Sequence, residues 1–271
     1  FEKKINDLLK NVWFWLLNLI IISMNQKILI FIITYKASFR VIDVIEKIPF
    51  GYIKKLNYEV YISDDNSNDD TLIYIENIKK KYPEIVFKLN HKNIGYGGNI
   101  KRCLRYAFDN KFDYAIMLHG DDQYNAKYIE DMIESFKLNK DIAAVSGSRM
   151  KNKLEAIKGN MPIYKFLGNI FLTKLFNFFY GTNFSDCHTG YWAYDLKKID
   201  KDFFDRADNE FCFDIDLRLL MVNSKLKIDE IMIKTKYGSE RSSIHFIYAL
   251  RYLVKVIKFK LLKKLWLISY D

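Results

Sequence analysis

Short, unbroken apolar runs alternate along this chain with longer segments in which apolar residues recur every third or fourth position. KILIFIITY (27–35), YEVYISDD (58–65), IVFKLN (85–90), DYAIML (113–118) and IAAVSG (142–147) read as strands. Between them FRVIDVIEKI (39–48), DTLIYIENIKKKY (70–82), GNIKRCLRYAFDN (98–110) and AKYIEDMIESFKL (126–138) carry helical spacing. This alternation predicts an α/β fold, a mostly parallel sheet covered by helices on both faces. The second half is less regular. MPIYKFLGNIFLTKLFNFFYG (161–181) predicts a long apolar helix opened by Pro162 and closed by Gly181. HTGYWAYD (188–195) and KIDEIMIKTKY (227–237) predict strands, FDIDLRLLMVNS (213–224) a short helix, and 243–268 a basic apolar helix. Neither a repeat nor a linker interrupts the pattern.

Ligands of such sheets bind beyond the carboxyl ends of the strands. Polar residues gather at those ends here: Thr34-Tyr35, Asp64-Asp65, Asn93 to Gly98, and His119 to Gln123.

Composition narrows the partners. With 271 residues, half of them apolar, the chain can bury one large core. A net charge of +10 suits an anionic partner. The aromatics sit inside apolar runs rather than among the basic residues, which argues against a nucleic-acid stacking platform. Cys103, Cys187 and Cys212 form no CxxC pair and fit free thiols in a reducing cytoplasm, with no zinc site. VWFWLLNLIIIS (12–23) is about half as long as the roughly 20 residues that span a bilayer. Segment 1–23 therefore reads as an interfacial helix or as sequence upstream of a fold starting near Met24.

Three constellations could carry chemistry. Asp64 and Asp65, in SDDNSNDDT, could accept hydrogen bonds from a base or a ribose, or could make a turn and cap the next helix. NIGYGGN (93–99) is neither GxGxxG nor a P-loop; its glycines could cradle a phosphate or allow close packing. In LHGDDQY (118–124) a strand continued past its apolar run would put His119, Asp121 and Gln123 on one face and Asp122 on the other. That face could hold Mg²⁺ or Mn²⁺ against a diphosphate, with His119 either a ligand or a hydrogen-bonded orienter.

Taken in order, TYK, SDDNSNDDT, NIGYGGNIKRCLRYA, LHGDDQY, GSR (147–149), TGYWAYD (189–195), NEFCFDIDLRLL (209–220) and TKYGSERSSI (235–244) resemble the family 2 glycosyltransferases of the GT-A fold. The nearest branch is similar to the dolichol-phosphate mannosyltransferase-like enzymes whose DxD motif is replaced by HxDxQY. The resemblance implies a GT-A domain over 24–242, followed by a C-terminal helix within 243–271. It implies that Asp121 is the metal and diphosphate residue, with Gln123 and His119 beside it and Asp122 a bystander. Thr34, Tyr35, Asp64 and Asp65 would line the nucleoside pocket, and Asn93 and Gly95 would approach the sugar diphosphate. Thr189, Gly190 and Tyr191 would shape the sugar pocket. Arg149, Lys165 and Asn169 would hold an acceptor phosphate. Asp214 and Asp216 match the family's acidic motif, and Arg241, Ser242 and Ser243 its late diphosphate loop.

The activity implied is a single inverting displacement from a nucleotide sugar, needing a divalent metal. The favoured acceptor is polyprenyl phosphate at the inner membrane face, which needs no strong base; a saccharide hydroxyl would need one, with Asp214 or Asp216 the candidate. A non-catalytic sugar-nucleotide-binding protein is the alternative from another class.

Overall fold

The computed structural model describes residues 26–235, 237 and 250–260. Arg241, Ser242, Ser243 and segment 1–23 lie outside the described residues. Seven strands form one sheet in the order β3-β2-β1-β4-β6-β5-β7: β1 (Lys27–Thr34), β2 (Asn57–Asp64), β3 (Val86–Leu89), β4 (Tyr114–His119), β5 (Ile142–Ser148), β6 (Trp192–Asp195) and β7 (Lys227–Met232). All neighbours are parallel except β6, which runs antiparallel to β4 and β5. Described helices are α1 (Arg40–Glu46), α2 (Phe50–Ile53), α3 (Thr71–Lys81), α4 (Tyr96–Asp109), α5 (Ile129–Leu138), α6 (Lys153–Lys158), α7 (Ile163–Tyr180) and α8 (Phe213–Asn223), with a further helical stretch over 250–260.

The unbroken apolar run of β1 feeds two cores because side chains alternate along a strand. Ile28, Ile30 and Ile32 pack with Val41 and Ile45 of α1, Ile75 of α3 and Met132 of α5. Leu29, Phe31 and Ile33 pack on the other face with Ile100 and Leu104 of α4 and Phe213 and Leu217 of α8. After β3 the chain crosses back to place β4 on the far side of β1, so a crevice opens at the carboxyl ends of β1 and β4.

Three differences from the sequence reading have simple causes. Only the last four residues of 188–195 form a strand, because Thr189 to Tyr191 turn to meet β4 and β5. Helix 126–138 opens as a 3₁₀ turn over Ala126–Tyr128, capped by the Asn125 side chain. Short α2, α6 and the 3₁₀ segment Lys201–Arg206 lack the length for a periodic signal. The long helix α7 is bounded by Pro162 and by Gly181 in the left-handed conformation, as expected from its sequence. Among the described residues no helix is long and apolar enough to cross a membrane.

Candidate active site

At the carboxyl edge of the sheet, register sets Thr34 beside Asp64 and Ile33 beside His119. The two adjacent aspartates at the end of β2 are anchors. Asp64 is closed to solvent and accepts from the Thr34 hydroxyl (2.8 Å), the Ser67 amide (2.8 Å) and the Ser67 hydroxyl (2.7 Å). Buried Asp65 accepts from Asn90 Nδ2 (2.8 Å), Ile94 N (2.9 Å) and Gly95 N (3.0 Å). Asp65 therefore fixes the loop before α4, while Thr34 and Asp64 tie β1 to the turn after β2. None of these three side chains offers a nucleoside an open face; Tyr35, half-exposed at the rim, does. Exposed Asn93 also holds this loop, its Oδ1 accepting from Gly95 N at 3.0 Å. Gly95 has φ of +83°, and a Cβ there would stand 2.6 Å from the Asn209 carbonyl. Its role is close approach of loop 208–210, the packing alternative read from the sequence.

Strand β4 ends at His119, and the chain turns at once: Asp121 Oδ1 accepts from the Gln123 amide (3.0 Å) and Asp122 takes φ of +60°. The premise of a shared strand face for His119, Asp121 and Gln123 fails, because a turn has no two-residue alternation. A different observation separates the carboxylates. Asp122 pairs with Lys47, whereas Asp121 is exposed at the crevice. His119 stands behind it with Nε2 at 2.9 Å from the Gly190 carbonyl. A carbonyl only accepts, so Nε2 carries the proton and is not a metal donor. Burial lowers the pKa of this imidazole, against the pull of the Asp121 carboxylate, so it is neutral at pH 7. Gly190 is required here, since a Cβ would come within 2.8 Å of the Tyr96 hydroxyl and 3.0 Å of His119 Cε1.

Among the described residues no three His, Cys, Asp or Glu side chains gather closely enough to hold a metal ion. The Asp121 carboxylate and the side-chain oxygen of Gln123 would make a donor set of hard oxygens. It fits a Mg²⁺ or Mn²⁺ ion whose remaining coordination comes from a diphosphate, the usual way such ions are bound beside phosphates. His119 is better placed to orient the Gly190 turn.

Asp214 and Asp216 lie two positions apart on α8, hence on different sides of the helix. Asp216 Oδ2 accepts from Lys255 (2.7 Å) and the Asp208 amide (3.0 Å), so it fastens 250–260 and loop 208–210 rather than entering the crevice. Asp214 Oδ2 accepts from the Tyr96 hydroxyl (2.9 Å), which lies 3.4 Å from His119 Nε2. Its Oδ1 has no partner among the described residues, and burial pushes its pKa up to about 7. Arg218, one turn further on, is fully buried between the rings of Phe184 and Trp192, each 4.6 Å away.

The acceptor residues also divide. Buried Arg149 forks onto Asp186, with Nε at 2.7 Å from Oδ2 and Nη2 at 3.0 Å from Oδ1, and also donates to the His188 carbonyl (2.8 Å). Asn169 Nδ2 donates to the same carboxylate at 2.8 Å. Arg149 and Asn169 are thus core partners of Asp186, not open phosphate contacts. Lys165 differs: it is half-buried, 5.4 Å over the Tyr237 ring, and no carboxylate pairs with it among the described residues. Burial and the nearby Arg149 charge both lower its pKa. Thr189 and Tyr191 are fully buried and brace the Gly190 turn; they do not line a pocket. Sequence reasoning missed Asp186, Tyr96 and Arg218, whose roles arise from contacts across 23 to 118 positions or from a buried helix face.

Residues 30–203 match the family described as Glycosyl transferase family 2. A low-salt glycan biosynthesis hexosyltransferase of Haloferax volcanii is 30% identical over 134 residues, covering 49% of this chain and 29% of its own length. A dolichol-phosphate mannosyltransferase of Pyrococcus furiosus is 27% identical over 140 residues, covering 52% of this chain and 37% of its own. The matched stretch therefore spans about a third of these relatives. Glucosyl-3-phosphoglycerate synthase of Mycobacterium tuberculosis, solved with uridine diphosphate, superposes with a TM-score of 0.62 at 11% identity, covering 89% of this chain and 83% of that one. The same enzyme solved with Mn²⁺, uridine diphosphate and glucosyl-3-phosphoglycerate gives 0.61. At such identity the likeness is one of fold, the GT-A arrangement.

Proposed function

The chain belongs to glycosyl transferase family 2, and from that premise we propose that it transfers a sugar from a nucleoside diphosphate sugar to polyprenyl phosphate by one inverting displacement. The observation that carries the acceptor is the state of Lys165: half-buried, without a carboxylate partner among the described residues, and near enough to Arg149 to feel its charge, while Arg149 is already paired with Asp186. A phosphate would pair with this ammonium and offset both the burial and the Arg149 repulsion that lower its pKa. The Pyrococcus relative, which by its name acts on dolichol phosphate, supports the same reading.

In this reading Tyr35 and the loop held by Asp65 receive the nucleoside. Asp121, with Gln123, would hold a divalent cation, which would supply charge neutralisation for the departing diphosphate. Lys165 orients the acceptor, whose phosphate oxygen forms the new bond to the anomeric carbon as the bond to the nucleoside diphosphate breaks. The phosphate is already anionic at pH 7, so no residue has to remove a proton.

A second reading rests on Asp214. A carboxyl with a pKa of about 7, joined through Tyr96 to His119, is suited to take a proton from a sugar hydroxyl. Incubation with labelled nucleotide sugars, Mn²⁺ and either polyprenyl phosphate or an oligosaccharide separates the two. Label passing into organic solvent supports the lipid acceptor; label remaining with the oligosaccharide supports the hydroxyl.

A further inference from the structure

Helix α7 has two unlike sides. Its inner side carries Asn169, Thr173 and Phe176, turned toward Asp186 and the core, and Lys165, which lies over the Tyr237 ring. Its outer side exposes Tyr164, Leu167, Phe171 and Phe178. At about 100° per residue these four fall within one stripe opposite the inner side. Neighbouring α6 adds exposed Leu154 and Ile157. Stretch 250–260, joined to α7 by the Tyr180 hydroxyl donating to the Val256 carbonyl at 2.8 Å, adds exposed Leu250, Val254 and Ile257. An apolar surface of this extent, on a helix with a polar inner side, calls for a partner.

Charge selects the partner. Exposed Lys153, Lys158, Lys174, Lys258 and Lys260 lie on the same three segments, whose only acidic residue is Glu155. Apolar side chains rimmed by lysines match an anionic bilayer surface, where the rings and aliphatic chains enter the interface and the ammonium groups meet headgroups. We propose that the outer side of α7, with α6 and 250–260, lies flat on an anionic membrane. Docked so, α7 lies between the bilayer and Lys165, and a lipid-borne phosphate has to rise past the helix by its diameter, roughly 10 Å, to meet Lys165. This deepens the lipid-acceptor reading and rests on it.

Flotation of the full chain with vesicles of equal parts phosphatidylglycerol and phosphatidylcholine tests the docking without any enzymatic readout. Phe171→Ser/Phe178→Ser should weaken vesicle binding at least tenfold, from the apolar area withdrawn. Lys153→Gln/Lys174→Gln should weaken it about fivefold per lysine at low salt and little at high salt. All four side chains are exposed, so circular dichroism and the melting temperature should stay at wild-type values. Unchanged binding in the aromatic variant, or no binding of the wild type, overturns the proposal. A wild type that self-associates through this face while ignoring vesicles also overturns it. The acceptor reading fails separately: vesicle binding that depends on Phe171 and Phe178, with no transfer to any polyprenyl phosphate, would leave docking intact and reject the acceptor. A vesicle-blind variant that still serves a short, water-soluble polyprenyl phosphate supports both.

Discussion

Replacing Asp186 by alanine should unfold the chain more readily than any other single change near the crevice. The carboxylate is fully buried and meets the Arg149 guanidinium at two points, Asn169 Nδ2 at 2.8 Å and the His188 amide at 2.9 Å. Burial alone would raise its pKa, but the Arg149 charge and these hydrogen bonds outweigh burial and hold it well below the usual carboxylate range. Removing one partner of a buried pair leaves the other charge uncompensated, at a cost of about 3–5 kcal/mol. For a chain of this size that is roughly 10 °C in melting temperature. Because the folded pKa lies below the unfolded one, this stability is present above the unfolded pKa near 4 and is lost as pH falls below it. Thermal melts of wild type, Asp186→Ala, Arg149→Met and Asp186→Leu/Arg149→Met at pH 7 and at lower pH provide the assay. Both single variants should melt early, and the double variant should recover part of the loss, since it buries no lone charge. An Arg149→Met chain that melts like wild type but no longer takes acceptor would refute this reasoning and return Arg149 to the acceptor phosphate.

Asp214 should behave in the opposite sense with pH. Its folded pKa, about 7, lies above the unfolded value, so its contribution is full in acid and is lost as pH rises through 7. Asp214→Asn should accordingly melt close to wild type at pH 5 and several degrees higher at pH 8; identical differences at the two pH values would contradict the burial argument. Asp121→Asn should abolish transfer, whereas Asp122→Asn loses only a surface pair with Lys47, worth about 1 kcal/mol or less, and keeps most activity. Equal losses in steady-state assays of the two would remove Asp121 from the centre of the site.

Much of the fold was legible because β1, β4 and β5 are buried on both faces and write themselves as largely apolar runs, with β2 following as an apolar stretch between polar ends. The antiparallel insertion of β6 was not, since four residues, Trp192–Asp195, carry no mark of direction. In the site, the sequence marked polar loops at the strand ends but not which of their side chains are saturated by neighbours. Asp64, Asp65, Arg149 and Asn169 are polar residues at strand ends or on a helix, and a sequence cannot tell an open polar group from one saturated by neighbours. Asp186 stands 37 positions from the arginine it neutralises. The lone warning for Arg218 was its place four residues after Asp214 on a helix that is otherwise apolar in its middle.

Whether Lys165 holds a phosphate acceptor is decided by transfer to water-soluble polyprenyl phosphate in Lys165→Ala and Asp214→Asn. Loss of one charge-assisted hydrogen bond is worth about 1.5–3 kcal/mol, so Lys165→Ala should lose roughly 10- to 150-fold in kcat/KM for the acceptor. Slow donor hydrolysis should persist, and Asp214→Asn should keep most of its transfer. The reverse ranking, with Lys165→Ala active and Asp214→Asn inert, would rule out a phosphate held by Lys165 and make the acceptor a hydroxyl activated by Asp214.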